Sequence, residues 1–153
     1  MTMTRSLLAL SLVFLVRAGQ PDHGGIDAFN AALSEATRNM DNTASIALWE
    51  DGGVSLLPNT RPIVGRKAIA KFFDDVTRPL AGAHMRRFQM ECHDIRVAGT
   101  WASEWCTEHQ VVQLPNGQPD FDGYGTMSFV LHKAPDGKWR LVQEMWTQGT
   151  KGD

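Results

Sequence analysis

The segment from His84 to Leu114 reads HMRRFQMECHDIRVAGTWASEWCTEHQVVQL, and its pattern decides the fold class. Two extended stretches, 84–97 and 101–114, flank Ala98-Gly99-Thr100, a tripeptide that favours a tight turn. Loops containing proline and glycine precede two further extended stretches, 123–133 and 138–147. The second half of the chain therefore predicts four consecutive antiparallel strands.

The first half of the chain predicts three helices ahead of these strands. Apolar residues recur at helical spacing, and Asp41 is a suitable N-cap for the second helix. Helices followed by an antiparallel meander indicate an α+β fold. The predicted helices run from about Asp27 to Asn39, from Asp41 to about Glu50 and from Arg66 to Val76, and short extended segments lie at Val54–Leu57 and Ile63–Val64.

The first 18 residues are typical of a secretory signal peptide. Arg5 supplies a positive charge, residues 6–16 are an unbroken apolar run, and Ala18 ends a plausible cleavage site. The run is shorter than the roughly 20 residues that span a membrane; the alternative is an amphipathic helix retained by the protein. We expect a secreted or periplasmic protein without stable membrane insertion after signal removal, divided into a signal peptide 1–18, a flexible lead-in 19–25, one domain 26–148 and a tail 149–153.

The composition argues against several classes of partner. The chain is 42% hydrophobic and carries a formal net charge of −2, so it lacks the basic field that holds nucleic acid. It has no glycine-rich phosphate loop, no CxxC motif and no HxH or HExxH spacing. We therefore expect no nucleic acid, no cofactor and no metal.

Two stretches, ALWEDGGVSLLP at 47–58 and PIVGRKAI at 62–69, resemble the nuclear-transport-factor-2-like superfamily, above all its SnoaL-like and DUF4440 groups. The run GKWRLVQEMW at 137–146 resembles the closing strand of that group. The resemblance covers about residues 26–148. It implies a cone-shaped barrel, with three N-terminal helices in the concave face of a curved antiparallel sheet, a small-molecule pocket and a homodimer. Because this fold hosts isomerases, dehydratases, cyclases and non-catalytic modules, it does not specify the function.

The ketosteroid isomerases of this superfamily use an aspartate base with a tyrosine and a protonated aspartic acid as oxyanion donors. By resemblance, the base falls at Leu57, the tyrosine at Phe29 and the donor acid at about Met127. None of these side chains can accept a proton or stabilise an oxyanion by hydrogen bonding. We therefore expect that the chain is not a ketosteroid isomerase of that type.

Strand alternation assigns the residues around Gly99 to two faces. A three-residue turn pairs Val97 with Trp101 and His93 with Trp105, and it places Cys92 opposite Cys106. The apolar side then holds Ile95, Val97, Trp101 and Trp105, so we expect it to be concave, with His93 and His109 on it and with Glu104 and Glu108 outside. The two cysteines are then expected on the convex face, either as a disulfide or as two small apolar residues.

A small-molecule pocket is usually apolar with a few converging polar groups. The last strand, by resemblance, turns Arg140, Val142, Glu144 and Trp146 inward. The candidate acid–base residues are His109, His93 and Glu144; alternatively, these histidines are satisfied core residues and Glu144 pairs with Arg140. The candidate walls, which could equally be core, are Phe29, Trp49, Leu57, Trp105, Met127, Phe129 and Trp146.

Two functional hypotheses follow from this pattern. In the first, the chain binds a small hydrophobic, cyclic molecule, with isomerase, dehydratase or cyclase-type proton transfer. In the second, it is a non-catalytic dimeric binding or assembly module.

Overall fold

The computed structural model describes residues 23–151. The predicted signal peptide 1–18, most of the lead-in and the last two residues of the tail lie outside the described residues. No helix within residues 23–151 is long and apolar enough to cross a membrane.

The described chain is an α+β domain, as the sequence predicts. Three helices precede most of a curved, open, six-stranded sheet. The helices are α1 (Ile26–Arg38), α2 (Asn42–Ala47) and α3 (Arg66–Thr77), and the strands are β1 (Trp49–Leu56), β2 (Ile63–Val64), β3 (His84–Ala98), β4 (Trp101–Gln113), β5 (Phe121–Lys133) and β6 (Trp139–Gly149).

The sheet has the strand order β2-β1-β6-β5-β4-β3. All neighbouring strands are antiparallel except β1 and β6, which are parallel. The α2 helix begins after Asp41, whose carboxylate accepts from the Ala44 amide at 2.9 Å, as predicted. The prediction that α2 reaches about Glu50 is wrong, because Trp49 already pairs with Leu141 of β6. A long-range strand pairing thus ends the helix earlier than the local sequence indicates.

The helices bury their apolar faces against the concave side of the sheet. Phe29 of α1 packs edge-to-face on Phe129 of β5, with 6.4 Å between ring centroids. Ile26 and Ile69 bring α1 and α3 into the same fully buried core. This layer of helices defines which face of each strand is inside.

The face predicted for β4 is wrong. Its inner face carries Ala102, Glu104, Cys106 and Glu108, all buried, whereas Trp101 and Trp105 are 49% and 39% exposed on the convex face. The prediction put the larger apolar side chains inside. The structure instead places small and acidic residues under the helices, and it therefore also puts His93 and His109 on the convex side.

The turn between β3 and β4 explains why the pairing was only partly predicted. His93 pairs with Trp105 as expected, but Val97 pairs with Ala102 and Ala98 with Trp101, so the turn has two residues rather than three. A bulge between His93 and Arg96 compensates for this difference. Asp94 lies in the bulge with a positive φ of 50°, which is typical of such irregularities.

Cys92 and Cys106 form a disulfide across β3 and β4. The two residues lie directly opposite each other in the ladder, with Cα atoms 4.0 Å apart. Cys106 is 0% exposed, so the bridge lies on the concave face, against the predicted convex position. It links the strand at the edge of the sheet to its neighbour beneath α1.

Loss of this bridge is expected to destabilise the fold. The two cysteines are 14 residues apart, and closing a loop of that length in the unfolded chain is worth about 3 kcal/mol. Urea unfolding of the protein should show a loss of that order in the free energy of unfolding when a phosphine reductant is added. The Cys92→Ala/Cys106→Ala variant should respond to urea identically with and without reductant. An unchanged parent midpoint, with both thiols titrating as free, contradicts the expectation.

Candidate functional site

An apolar chamber lies between the helices and the inner face of the sheet. Its volume is about 140 Å³. Aromatic, aliphatic and methionine side chains form most of its wall, and two carboxyl groups from β4 and β6 complete it. The lining residues are Leu33, Thr37, Ser45, Trp49, Phe73, Phe88, Met90, Glu108, Met127, Leu141, Glu144 and Trp146.

Glu144 is the most perturbed titratable group of the described chain. It lies on β6 beside Ser55 of β1, whose hydroxyl donates to Glu144 Oε2 at 3.3 Å. Burial raises the pKa of Glu144 to about 7, the Ser55 hydrogen bond opposes the rise, and the nearby charge of Glu108 adds to it. A carboxyl group with this pKa can take up or release a proton at neutral pH.

Glu108 is the second carboxyl group of the chamber. Its Oε1 accepts a hydrogen bond of 2.7 Å from the Trp146 indole nitrogen. Burial raises the pKa of Glu108, and the Trp146 hydrogen bond acts in the opposite direction. The indole also fixes the orientation of the carboxyl group, because it is a donor with a single direction.

Among residues 23–151, Glu108 and Glu144 are the only ionisable side chains that line the chamber. Helices α1, α2 and α3 present apolar and hydroxyl groups to it. Two carboxyl groups that repel each other in an apolar site favour a state in which at least one is protonated. The chamber can therefore hold both an acid and a base.

A wider, open cavity of about 840 Å³ adjoins the chamber. The two cavities share Phe88, Met90 and Glu108. The outer cavity adds Ser34 and Arg38 of α1 to its lining. Glu108 thus lies where the apolar interior meets a more polar mouth.

Gly125 makes the contact between Glu108 and Trp146 possible. A Cβ atom at this position would lie 2.5 Å from the Trp146 indole nitrogen and 2.8 Å from Glu108 Oε1. Real Cβ atoms do not approach other atoms so closely. The absence of a side chain on β5 therefore lets β4 and β6 join their side chains across it.

Some of the predicted site residues line this chamber. Glu144, Trp49, Met127 and Trp146 all face it. Phe29 and Phe129 instead pack against each other in the core and are not among its lining residues. Leu57 follows the end of β1 and lines none of the four described cavities.

The predicted cluster of two histidines and a glutamate does not form. His109 stacks on Tyr124 at 4.2 Å, and its Nε2 lies 2.8 Å from Asp122 Oδ1. His93 stacks on Trp105 at 4.3 Å between centroids. These contacts lie on the convex face because the inward face of β4 is the other one. Neither histidine lines the chamber, although His109 and Tyr124 line the outer cavity that adjoins it.

Arg140 also departs from its predicted place. Its neighbours Trp139 and Leu141 are buried, so Arg140 points to the other face and its guanidinium lies 2.7 Å from Asp136. A bulge between β5 and β6 leaves Val142 without a partner in the ladder. Beyond the bulge, Glu144 and Trp146 face inward as predicted.

The sequence reasoning missed Glu108 because charged residues were assigned to the outside. The pairing of β4 with β5 identifies the inner face of β4. Cys106 lies opposite Met127, and Met127 was already assigned to the inner face. The same face of β4 must then include Glu108, two residues further along.

Comparison with known proteins agrees with this architecture. Residues 26–146 match the SnoaL-like domain family. The chain belongs to the SnoaL-like family. No curated protein sequence matches it.

Solved structures similar to this SnoaL-like domain share its fold at low sequence identity. A ketosteroid isomerase-like protein from Erwinia carotovora atroseptica is 18% identical, with a TM-score of 0.73, and the match covers 86% of this chain and 99% of that one. A protein from Novosphingobium aromaticivorans, provisionally named a scytalone dehydratase, is 16% identical over 82% and 83% of the chains, with a TM-score of 0.68. A Catenulispora acidiphila protein in complex with S-DNPA is 14% identical over 80% and 90%, with a TM-score of 0.68.

The raised pKa of Glu144 predicts how stability depends on pH. The folded state holds its proton up to about pH 7, whereas the unfolded state loses it near pH 4.5. Stability should therefore fall as pH rises from about 4.5 to 7, by about 3 kcal/mol in all. Glu144→Gln should flatten this part of the profile, and Glu35→Gln, an exposed matched control on α1, should leave it unchanged. Parallel profiles for Glu144→Gln and the parent in urea unfolding would contradict the assignment.

Proposed function

We propose that this SnoaL-like domain binds a small, hydrophobic, cyclic molecule in the chamber and moves a proton to or from it, as an isomerase, dehydratase or cyclase does. The observation that carries the proposal is the pair of buried carboxyl groups, Glu108 and Glu144, in one apolar chamber. A structural core has no use for two such groups, since burying a carboxyl group costs free energy.

The two carboxyl groups have different roles in this proposal. Glu108, whose carboxylate accepts the N–H of the Trp146 indole, is the general base that removes a proton from a carbon next to a carbonyl group. The electron pair moves to the carbonyl oxygen, and Glu144, which with a pKa of about 7 holds its proton below neutral pH, donates a hydrogen bond to that oxygen. Return of the proton to another carbon completes an isomerisation, whereas departure of a β-hydroxyl group as water completes a dehydration.

The size of the chamber supports a cyclic ligand. A dry protein cavity of about 150 Å³ holds a benzene molecule, and the chamber measures about 140 Å³. One six-membered ring therefore fits between Glu108, Glu144 and the indole rings of Trp49 and Trp146. Any larger or more polar part of the ligand lies in the mouth, beside Ser34 and Arg38.

The export of this protein is part of the same proposal. Residues 1–18 have the pattern of a signal peptide. The Cys92–Cys106 bridge supports a secreted or periplasmic location, because disulfides persist in oxidising compartments.

Proton transfer can be tested without knowing the natural substrate. Small cyclic ketones and β-hydroxyketones in D₂O should exchange the hydrogen next to the carbonyl group when the protein is added, as measured by NMR. Glu108→Gln should slow this exchange by about 10²–10⁴-fold, the usual contribution of a general base. His93→Ala, on the convex face and outside the four described cavities, should exchange like the parent.

Two results would overturn the catalytic proposal. One is the absence of exchange with every compound that quenches the tryptophan fluorescence of the parent. The other is exchange that Glu108→Gln leaves unchanged but His93→Ala abolishes.

The convex face favours the second candidate function, a dimeric binding or assembly module. Trp101, Trp105 and Met145 are exposed there, at 49%, 39% and 44%. Exposed apolar side chains of this size on one sheet face are typical of an interface. A second copy of the chain, packed sheet to sheet, is the partner that we propose.

A charged residue in this face is expected to break the dimer. In Trp105→Glu a carboxylate replaces an apolar ring at the interface, so sedimentation equilibrium should give the monomer mass. Val76→Glu, on α3, replaces another exposed apolar residue away from the sheet and should remain dimeric. A parent that sediments as a monomer at all concentrations contradicts the dimer.

A further inference from the structure

Three side chains that can bind a metal converge under α1, away from the chamber. Cys92 of β3 and Glu104 and Cys106 of β4 each offer one ligand atom, and these atoms lie within 4.8 Å of one another. The ladder produces this cluster, because Cys92 is opposite Cys106 and Glu104 lies two residues along the same face. Within residues 23–151, no other three His, Cys, Asp or Glu side chains bring their ligand atoms this close together.

Two buried oxygen atoms in this cluster have no hydrogen-bond partner. They are Glu104 Oε1 and Asn30 Oδ1. The Asn30 amide nitrogen donates to the other carboxylate oxygen, Glu104 Oε2, at 2.9 Å, so both orphaned atoms belong to one contact. Both are acceptors, and a buried acceptor without a donor is costly. The missing partner is therefore a proton, a water molecule or a cation.

The surroundings of Glu104 agree with this conclusion. Glu104 is 4% exposed.

An access route connects this cluster with solvent. An open cavity of about 340 Å³ runs between α1 and β3, and both Asn30 and Cys92 line it. Asp27 and Glu91 line the same cavity. Their negative charges would attract a cation toward the cluster.

We propose that reduction of the disulfide converts this cluster into a zinc site held by Cys92, Cys106 and Glu104, with the Asn30 carbonyl as the fourth ligand. Two thiolates select a soft or borderline cation, and a carboxylate and a carbonyl oxygen complete four-coordination. The disulfide bond and the zinc ion thus exclude each other, because both use the sulfur atoms of Cys92 and Cys106. This inference does not depend on the proposed proton transfer, because none of the four ligands lines the chamber.

The chemistry of the conversion is balanced. A dithiol reductant transfers two electrons and two protons to the S–S bond, which gives two cysteine thiols and the disulfide of the reductant. Zinc binding then releases the two thiol protons to water. The cation also satisfies the two orphaned oxygen atoms of Glu104 and Asn30.

The test uses the mature chain, reduced with a water-soluble phosphine and desalted without oxygen. Zinc is titrated in competition with a chromogenic chelator, and cobalt is added separately for its thiolate charge-transfer and tetrahedral d–d absorption. The reduced parent should bind one equivalent and the disulfide form none. Glu104→Gln should weaken binding at least 10-fold and Cys106→Ser at least 100-fold. Glu35→Gln, an exposed acid on α1, should bind like the parent.

Several outcomes overturn the proposal. They are no binding by the reduced parent, equal binding by the disulfide form, and a Glu104→Gln variant that binds like Glu35→Gln. If reduction unfolds the chain, circular dichroism measures whether zinc restores the fold. Zinc must then restore the native spectrum of the parent but not that of Cys92→Ser/Cys106→Ser, and failure to do so also contradicts the site.

Discussion

The packing of α1 on the concave face of the sheet is the constraint on which the rest of the structure depends. Phe29 meets Phe129 edge-to-face, and Asn30 donates to Glu104. These two contacts, one apolar and one polar, place the helix over β4 and β5. Ala102, Cys106 and Glu108, which share a face of β4 with Glu104, are buried together with it, whatever their polarity.

Enclosure gives the inner face of β4 its chemistry. Glu104, Cys106 and Glu108 follow one another on that face, at intervals of two residues. In water these groups are ordinary acids and a thiol. Under the helices the two carboxyl groups have raised pKa values, because a low-dielectric environment disfavours charge. The thiol of Cys106 is half of a buried disulfide.

The chamber and the cluster of Cys92, Glu104 and Cys106 are neighbours, but different elements form them. The chamber depends on β6, which contributes Glu144 and Trp146, and on Gly125 of β5, which leaves room for the Trp146–Glu108 hydrogen bond. The cluster depends on β3 and α1, which contribute Cys92 and Asn30. One strand thus supplies a reactive group to each of two adjacent sites, and the functional proposals for them can be tested separately.

The sequence by itself determined the order of the elements and the positions of the turns. It also predicted the opposition of Cys92 and Cys106, but the structure reaches that opposition by a two-residue turn and a bulge. These features depend on local chemistry, such as the Asp41 cap, the Gly99 turn and the periodicity of apolar residues. Only the tertiary structure decided which face of β4 is inside and where α2 ends. Alternation shows that neighbouring residues lie on opposite faces, but it does not say which face a helix covers. The small side chains of Ala102 and Cys106 leave space for the helices, whereas Trp101 and Trp105 remain outside. This steric requirement comes from distant parts of the sequence, since Asn30 of α1 contacts Glu104, which lies 74 positions later.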